Sequence, residues 1–188
     1  MEQQKIISLA ATNVIRERSE KGQLVQFEEM LAELKRQDLL KSEIADQRSY
    51  LRAVLEQAFE ENEDLKEISD KDETPHYYST QSLSEIYARI IILREENPLL
   101  LLAQIIRENS AIYPRPVPLD IFRESPFDLT PEEISECLKN MREGKEYQDI
   151  AQTTTSIGTI FLYSNRHLEP DYASMLAEWF DVGQANNP

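Results

Sequence analysis

The sequence predicts a mainly helical α+β protein with small β-hairpins, built from two copies of one unit over residues 1–97 and 98–188. Three observations predict it. Apolar residues recur at helical spacing along most of the chain. Two pairs of short extended segments each bracket a polar turn. An eleven-residue pattern also occurs twice. Residues 78–88 and 163–173 both read Tyr-Ser-x3-Leu-x3-Tyr-Ala, with five identities at an offset of 85.

Further matches keep the same order. Val14–Ser19 pairs with Ile105–Ser110 at an offset of 91, and Val25–Met30 with Val117–Phe122 at 92. Leu51, Val54, Leu55 and Ala58 pair with Ile134, Cys137, Leu138 and Met141 at 83, and Glu67-Ile68 with Asp149-Ile150 at 82. The changing offset reads as loops of unequal length, including three residues at the hairpin. Pro98 suits the boundary, because proline ends one helix and fits the first turn of the next.

In the first copy, Ile6, Ile7, Ala10, Val14 and Ile15 form one helical face, closed by Lys21-Gly22. Leu24-Val25-Gln26 is a short extended piece. Phe27, Met30, Leu31 and Leu34 mark a second helix. Asp46 or Ser49 starts a third, with Leu51, Val54, Leu55, Ala58 and Phe59 inward. Leu65–Ser69 and His76–Thr80 form a hairpin, and Leu83–Glu96 is a closing helix.

The second copy repeats the order. Leu99–Asn109 is helical and Tyr113–Pro116 is extended. Pro118–Arg123 is a short helix. Thr130-Pro131-Glu132-Glu133 is a strong helix start: an N-cap Thr, a Pro at the first position and a Glu completing a capping box. Gly144 ends that helix. Tyr147–Thr153 and Thr159–Ser164 pair, and Glu169–Phe180 closes the unit. Gly183–Pro188 is expected to be a disordered tail.

This order of helix, strand, helix, helix, hairpin, helix resembles the winged-helix superfamily in tandem. The resemblance is one of topology and covers nearly the whole chain. An irregular all-α bundle with one stray hairpin is the rival. Acidic tandem winged-helix proteins of this size also resemble the accessory subunits of bacterial condensin-type complexes, which bind a kleisin chain and often dimerise.

Charge bears on partners. Twenty Lys and Arg stand against 35 Asp and Glu, giving a net charge of −15. Residues 1–97 carry 13 basic and 21 acidic side chains and residues 98–188 carry 7 and 14, so both copies are acidic. Nucleic acid and anionic lipid bind through uncompensated cations, which disfavours both. No apolar run reaches a membrane span, and Met1–Ser8 lacks the basic start and apolar core of a signal peptide. Cys137 is the only cysteine, so an internal disulfide is impossible and a structural zinc site would lack its thiolates. A cytoplasmic protein is expected.

No catalytic residue, cofactor or metal site is expected. His76 and His167 are the only histidines and read as surface residues, and Cys137 as a buried packing residue. No metalloprotease, phosphate-loop or dinucleotide motif occurs. Tyr78 with Tyr163, and Tyr87 with Tyr172, read as anchors holding the closing helix to the wing.

The expected function is a non-catalytic protein–protein adaptor with an unknown protein partner and possible homodimerisation. The acid-rich stretch Glu56–Glu73, with nine acids and two lysines, offers Glu60, Glu61 and Asp64 as partner contacts. Trp179 and Phe180 are further candidates, because the first copy has no aromatic match for them. The alternative is a DNA-binding transcriptional regulator using Lys41, Arg48 and Arg52 of the third helix.

Overall fold

A computed structural model describes residues 2–40 and 46–183. The chain divides into two compact units, Met1–Ile92 and Leu93–Pro188. The division falls inside a helix rather than at Pro98. Arg94 already belongs to the second unit, where it donates to the Pro126 carbonyl at 3.3 Å and the Asp128 carboxylate at 3.0 Å.

The first unit runs α1 (Glu2–Glu20), β1 (Val25–Gln26), α2 (Phe27–Arg36), α3 (Gln47–Glu61), β2 (Leu65–Ser69), β3 (Pro75–Ser79) and α4 (Glu85–Glu96), whose last turn lies past the division. The second runs α5 (Pro98–Ile112), β4 (Val117–Pro118), a 3-10 turn (Leu119–Arg123), α6 (Pro131–Glu143), a 3-10 turn (Lys145–Tyr147), β5 (Ile150–Thr154), β6 (Ile160–Ser164), α7 (Pro170–Glu178) and a π-helical turn (Trp179–Gly183). Each unit holds one three-stranded antiparallel sheet, ordered β1-β3-β2 and β4-β6-β5. The chain is an α+β protein.

The helix starts follow from local chemistry. The Asp46 carboxylate accepts the Ser49 N–H at 3.0 Å, and the Asn97 side chain accepts the Leu100 N–H at 3.0 Å ahead of Pro98. At α6 the Glu133 carboxylate accepts the Thr130 N–H at 2.7 Å while Thr130 Oγ1 accepts the Glu133 N–H at 3.2 Å, the reciprocal pair of a capping box.

Strand alternation gives each sheet two faces. In the first unit Val25, Leu65 and Tyr77 face a core of Ile7, Ile15, Met30, Leu34, Leu51 and Val54. The opposite face carries Tyr78 and Ile68, which pack with Leu83 and Ala88 at the start of the closing helix. In the second unit Tyr163 packs with Leu168 and Ala173 in the same way.

Several elements depart from the sequence expectation. Ile6 is exposed, and the buried stripe of α1 runs through Ile7, Ala11 and Ile15 instead. Pro118 pairs in β4 with Phe161, so the strand lies later than Tyr113–Pro116. Tyr147 sits in a 3-10 turn rather than a strand. The two hairpins have equal length, because Leu65–Ser79 and Ile150–Ser164 keep one offset of 85. The Glu67-to-Asp149 alignment is therefore corrected: Asp64 takes the position of Asp149. Gly183 closes the π-helical turn, and residues 184–188 of the expected tail lie outside the described residues.

One arrangement of side chains occurs in both units. Arg16 of α1 donates Nε and Nη2 to the two oxygens of Asp64 at 2.9 and 2.7 Å. The Ser79 hydroxyl donates to the same carboxylate at 2.7 Å, and the Ser79 N–H donates to Ser19 Oγ at 2.8 Å. In the second unit Arg107 donates to Asp149 at 2.9 and 2.6 Å, the Ser164 hydroxyl donates to Asp149 at 2.7 Å, and the Ser164 N–H donates to Ser110 Oγ at 2.9 Å. The side chains of Asp64 and Asp149 are 13% and 3% exposed. The arginine bonds, followed by the serine hydroxyl, hold both carboxyls down to about 2 against the opposing effect of burial.

Three outcomes are expected. Asp149→Ala lowers stability by about 3 kcal/mol in urea denaturation, because the part-buried Arg107 guanidinium keeps only the Glu146 carbonyl and the Ser164 hydroxyl loses its acceptor; a loss below about 1 kcal/mol would make the pair an ordinary surface contact. Both aspartates bind protons more weakly folded than unfolded, where the ordinary value is 3.8. Their contribution is thus complete above about pH 4 and is lost as the pH falls through about 2. The thermal midpoint of Asp149→Asn should accordingly fall less between pH 4 and pH 2 than that of the parent. Finally, Glu73 sits at φ +60 at the hairpin tip, where the second unit places Gly158 at φ +94. Glu73→Gly raises the thermal midpoint by relieving that conformation, a gain of up to about 1 kcal/mol.

Candidate functional site

The site candidate in the first unit is an open groove of about 730 Å³ between α3 and the β2–β3 hairpin. Its floor is apolar: Phe27 from the first turn of α2, Leu55 and Phe59 from α3, and Tyr77 from β3. The Phe59 and Tyr77 rings meet edge-on with centroids 5.5 Å apart. Burial, then the charge of Glu67, pushes the Tyr77 phenol up to about 12, so it stays neutral.

The walls are acidic. Glu56 and Glu60 stand one helical turn apart on α3, and Glu67 and Glu73 rise from the hairpin. Glu28 completes the rim and pairs with Arg48 at 2.8 Å. Among the described residues Arg52 is the one cation lining the groove, and its guanidinium lies 5.5 Å over the Phe27 ring.

The second unit has a groove at the corresponding place, between α6 and its hairpin, of about 370 Å³. Matching the buried faces of α3 and α6, and the strands at their common offset, puts Arg142 where Phe59 stands and Gln152 where Glu67 stands. Arg142 Nη2 donates to Gln152 Oε1 at 3.3 Å and bridges the two walls. Lys139 holds the position of Glu56. The smaller groove is bridged by this bond and lined by Arg142, while the larger one is lined by glutamates.

The sequence candidates fall in different places. Glu60 lines the groove; Glu61 is exposed and accepts from Gln57 Nε2 at 2.7 Å. Asp64 is not presented to a partner: its carboxylate is taken by Arg16 and Ser79. Trp179 is 52% exposed on the π-helical turn. Phe180 is half-buried in a separate groove of about 410 Å³ in the second unit, beside Ile121 and Phe161. Arg48 and Arg52 are held as described above, and Lys41 lies outside the described residues. Phe27, Glu28 and Tyr77 were not among the candidates. Their sequence signal is only helical or alternating periodicity, which the core uses equally.

His76 is corrected from a surface residue to a buried one, 4% exposed. Its Nε2 lies 3.2 Å from the Asp70 carboxylate, which also accepts the Asp72 and Thr74 N–H groups at 2.9 and 2.8 Å. Those bonds, the Thr74 one foremost, hold the Asp70 carboxyl below its ordinary value. Tyr78 and Tyr163 pack against the closing helices and Tyr87, on α4, packs against the cluster of Tyr78, Leu83 and Ala88, whereas Tyr172 is 47% exposed. Cys137 is buried, and burial followed by Glu136 and Glu133 pushes its thiol up to about 11. No group of three or more His, Cys, Asp or Glu among the described residues is placed to hold a metal ion.

Residues 95–185 match the family model of the YdhW C-terminal domain. The chain is also 31% identical over 141 residues to the uncharacterized protein YdhW of Escherichia coli strain K12, covering 72% of this chain. It spans 65% of that relative's length. No solved structure matches the chain. The family model covers α5 to α7, so the acidic groove lies outside it. No helix among the described residues is long and apolar enough to cross a membrane.

The state of the thiol predicts slow chemistry. Cys137 reacts with a disulfide reagent such as Ellman's at least about a hundredfold more slowly in the native chain than in urea, because only the exposed thiolate is nucleophilic. Fast native labelling would show the helix face of α6 to be open.

Proposed function

We propose that the chain is a non-catalytic, cytoplasmic adaptor that binds another protein through two winged-helix units derived by duplication. The recurrence of one element order, and of one arginine–aspartate–serine arrangement in each unit, supports the winged-helix and duplication reading. The observation that carries the functional reading is the charge of the α3–hairpin surface. A DNA-binding winged helix presents its third helix to the major groove and its hairpin to the phosphate backbone. Here those elements carry Glu56, Glu60, Glu67 and Glu73, with Arg48 paired to Glu28. Phosphates approaching this surface meet net negative charge, whereas a cationic protein surface is attracted.

The test has two parts. Fluorescence anisotropy with labelled random-sequence duplex DNA, at low salt where phosphate contacts are strongest, should give no saturable binding. Saturable binding abolished by Arg48→Glu with Arg52→Glu would establish the regulator instead. Affinity purification from native lysate should recover a stoichiometric protein partner that survives nuclease.

A further inference from the structure

We propose that the groove between α3 and the β2–β3 hairpin docks a lysine- or arginine-rich peptide segment of another protein, anchored by apolar side chains on the groove floor. The inference rests on the adaptor reading and deepens it by naming the surface and the chemistry of its occupant. Charge complementarity supplies the argument. Glu56 and Glu60 on one wall face Glu67 and Glu73 on the other, so a segment lying between them meets carboxylates on both flanks. Phe59 and Tyr77 between the walls offer ring surface rather than polar partners. A cationic segment with an apolar edge satisfies both features. A polyamine would leave the aromatic floor uncovered, and an apolar segment without cations would leave the carboxylates without partners.

The second unit has a smaller and less acidic groove at the corresponding place. There a wall-to-wall bond from Arg142 to Gln152 spans the groove, whose volume is about 370 Å³ against about 730 Å³ in the first unit. The first unit has Phe59 and Glu67 at those two positions and no such strap is formed between them. The larger groove is also the acidic one.

This comparison designs the decisive variant. Phe59→Arg with Glu67→Gln copies the strap of the second unit into the first. Its folding is checked by circular dichroism and thermal melting of the full chain. A second variant, Glu56→Lys with Glu60→Lys, reverses one wall from exposed or rim positions. A control, Glu132→Lys with Glu136→Lys on α6, makes the same change in net charge on the other unit.

The probe is a fluorescein-labelled synthetic peptide of lysine and leucine in an amphipathic helical repeat. It is read by anisotropy beside a lysine–serine peptide and a glutamate–leucine peptide of equal length. The full chain should bind the lysine–leucine peptide saturably in one-to-one ratio. Both groove variants should weaken that binding about tenfold or more, and the α6 control should leave it within about twofold. The glutamate–leucine peptide should not bind, and the lysine–serine peptide should bind about tenfold more weakly.

Four results overturn the proposal. No saturable binding of the lysine–leucine peptide does so. Equal weakening by the α6 control means diffuse charge attraction. Equal affinity for the lysine–serine peptide removes the apolar floor from the argument. Sedimentation showing a dimer of the chain that the Phe59→Arg, Glu67→Gln variant dissociates means that a second copy covers the groove. If these fail while a stoichiometric protein partner is still recovered, the adaptor reading stands and only the groove is wrong. If DNA binding through Arg48 and Arg52 appears, the adaptor reading itself falls.

Discussion

One carboxylate in each unit holds together elements that the chain makes far apart. Asp64 joins Arg16, 48 residues earlier, to Ser79, 15 residues later, and Asp149 does the same for Arg107 and Ser164. The arginine sits on the first helix, the aspartate leads into the hairpin and the serine ends it. The serine N–H then reaches back to a second serine on the first helix. A buried aspartate is unfavourable without partners, so the whole set is stable only when all of it is made. This requirement fixes how the hairpin is set against the helices, and so where the groove between hairpin and third helix can lie.

The chain's acidity acquires two meanings from that arrangement. Asp64 and Asp149 are interior charges matched by arginine. Glu56, Glu60, Glu67 and Glu73 are rim charges around an apolar floor. The two kinds are adjacent in sequence and opposite in role. In the first unit an aromatic ring and a carboxylate occupy the positions that an arginine and a glutamine bridge in the second.

Most of the architecture was legible in the residues. The spacing of Phe27, Met30, Leu31 and Leu34 marks a helix because a helix buries one face. Thr130-Pro131-Glu132-Glu133 marks a helix start because its hydrogen-bond partners lie within one turn. The repeated Tyr-Ser-x3-Leu-x3-Tyr-Ala located both hairpin ends, and its tyrosine, leucine and alanine are the residues that join each hairpin to its closing helix. What went astray was register. Aligning Glu67 with Asp149 gave the hairpins unequal lengths. The length difference lies instead between α3 and β2, where the second unit inserts its 3-10 turn over Lys145–Tyr147.

The sequence by itself determined the helices, the two hairpins, the caps and the −15 charge, since each depends on neighbours within a few residues or on simple counting. Tertiary structure alone decided which acids face inward and which line the groove. Asp64 and Glu60 look alike in an acid-rich stretch, and His76 looks like any polar hairpin residue. Their roles depend on partners brought from other elements, and on strand alternation in which a shift of one residue turns every side chain to the other face. No local pattern carries that information.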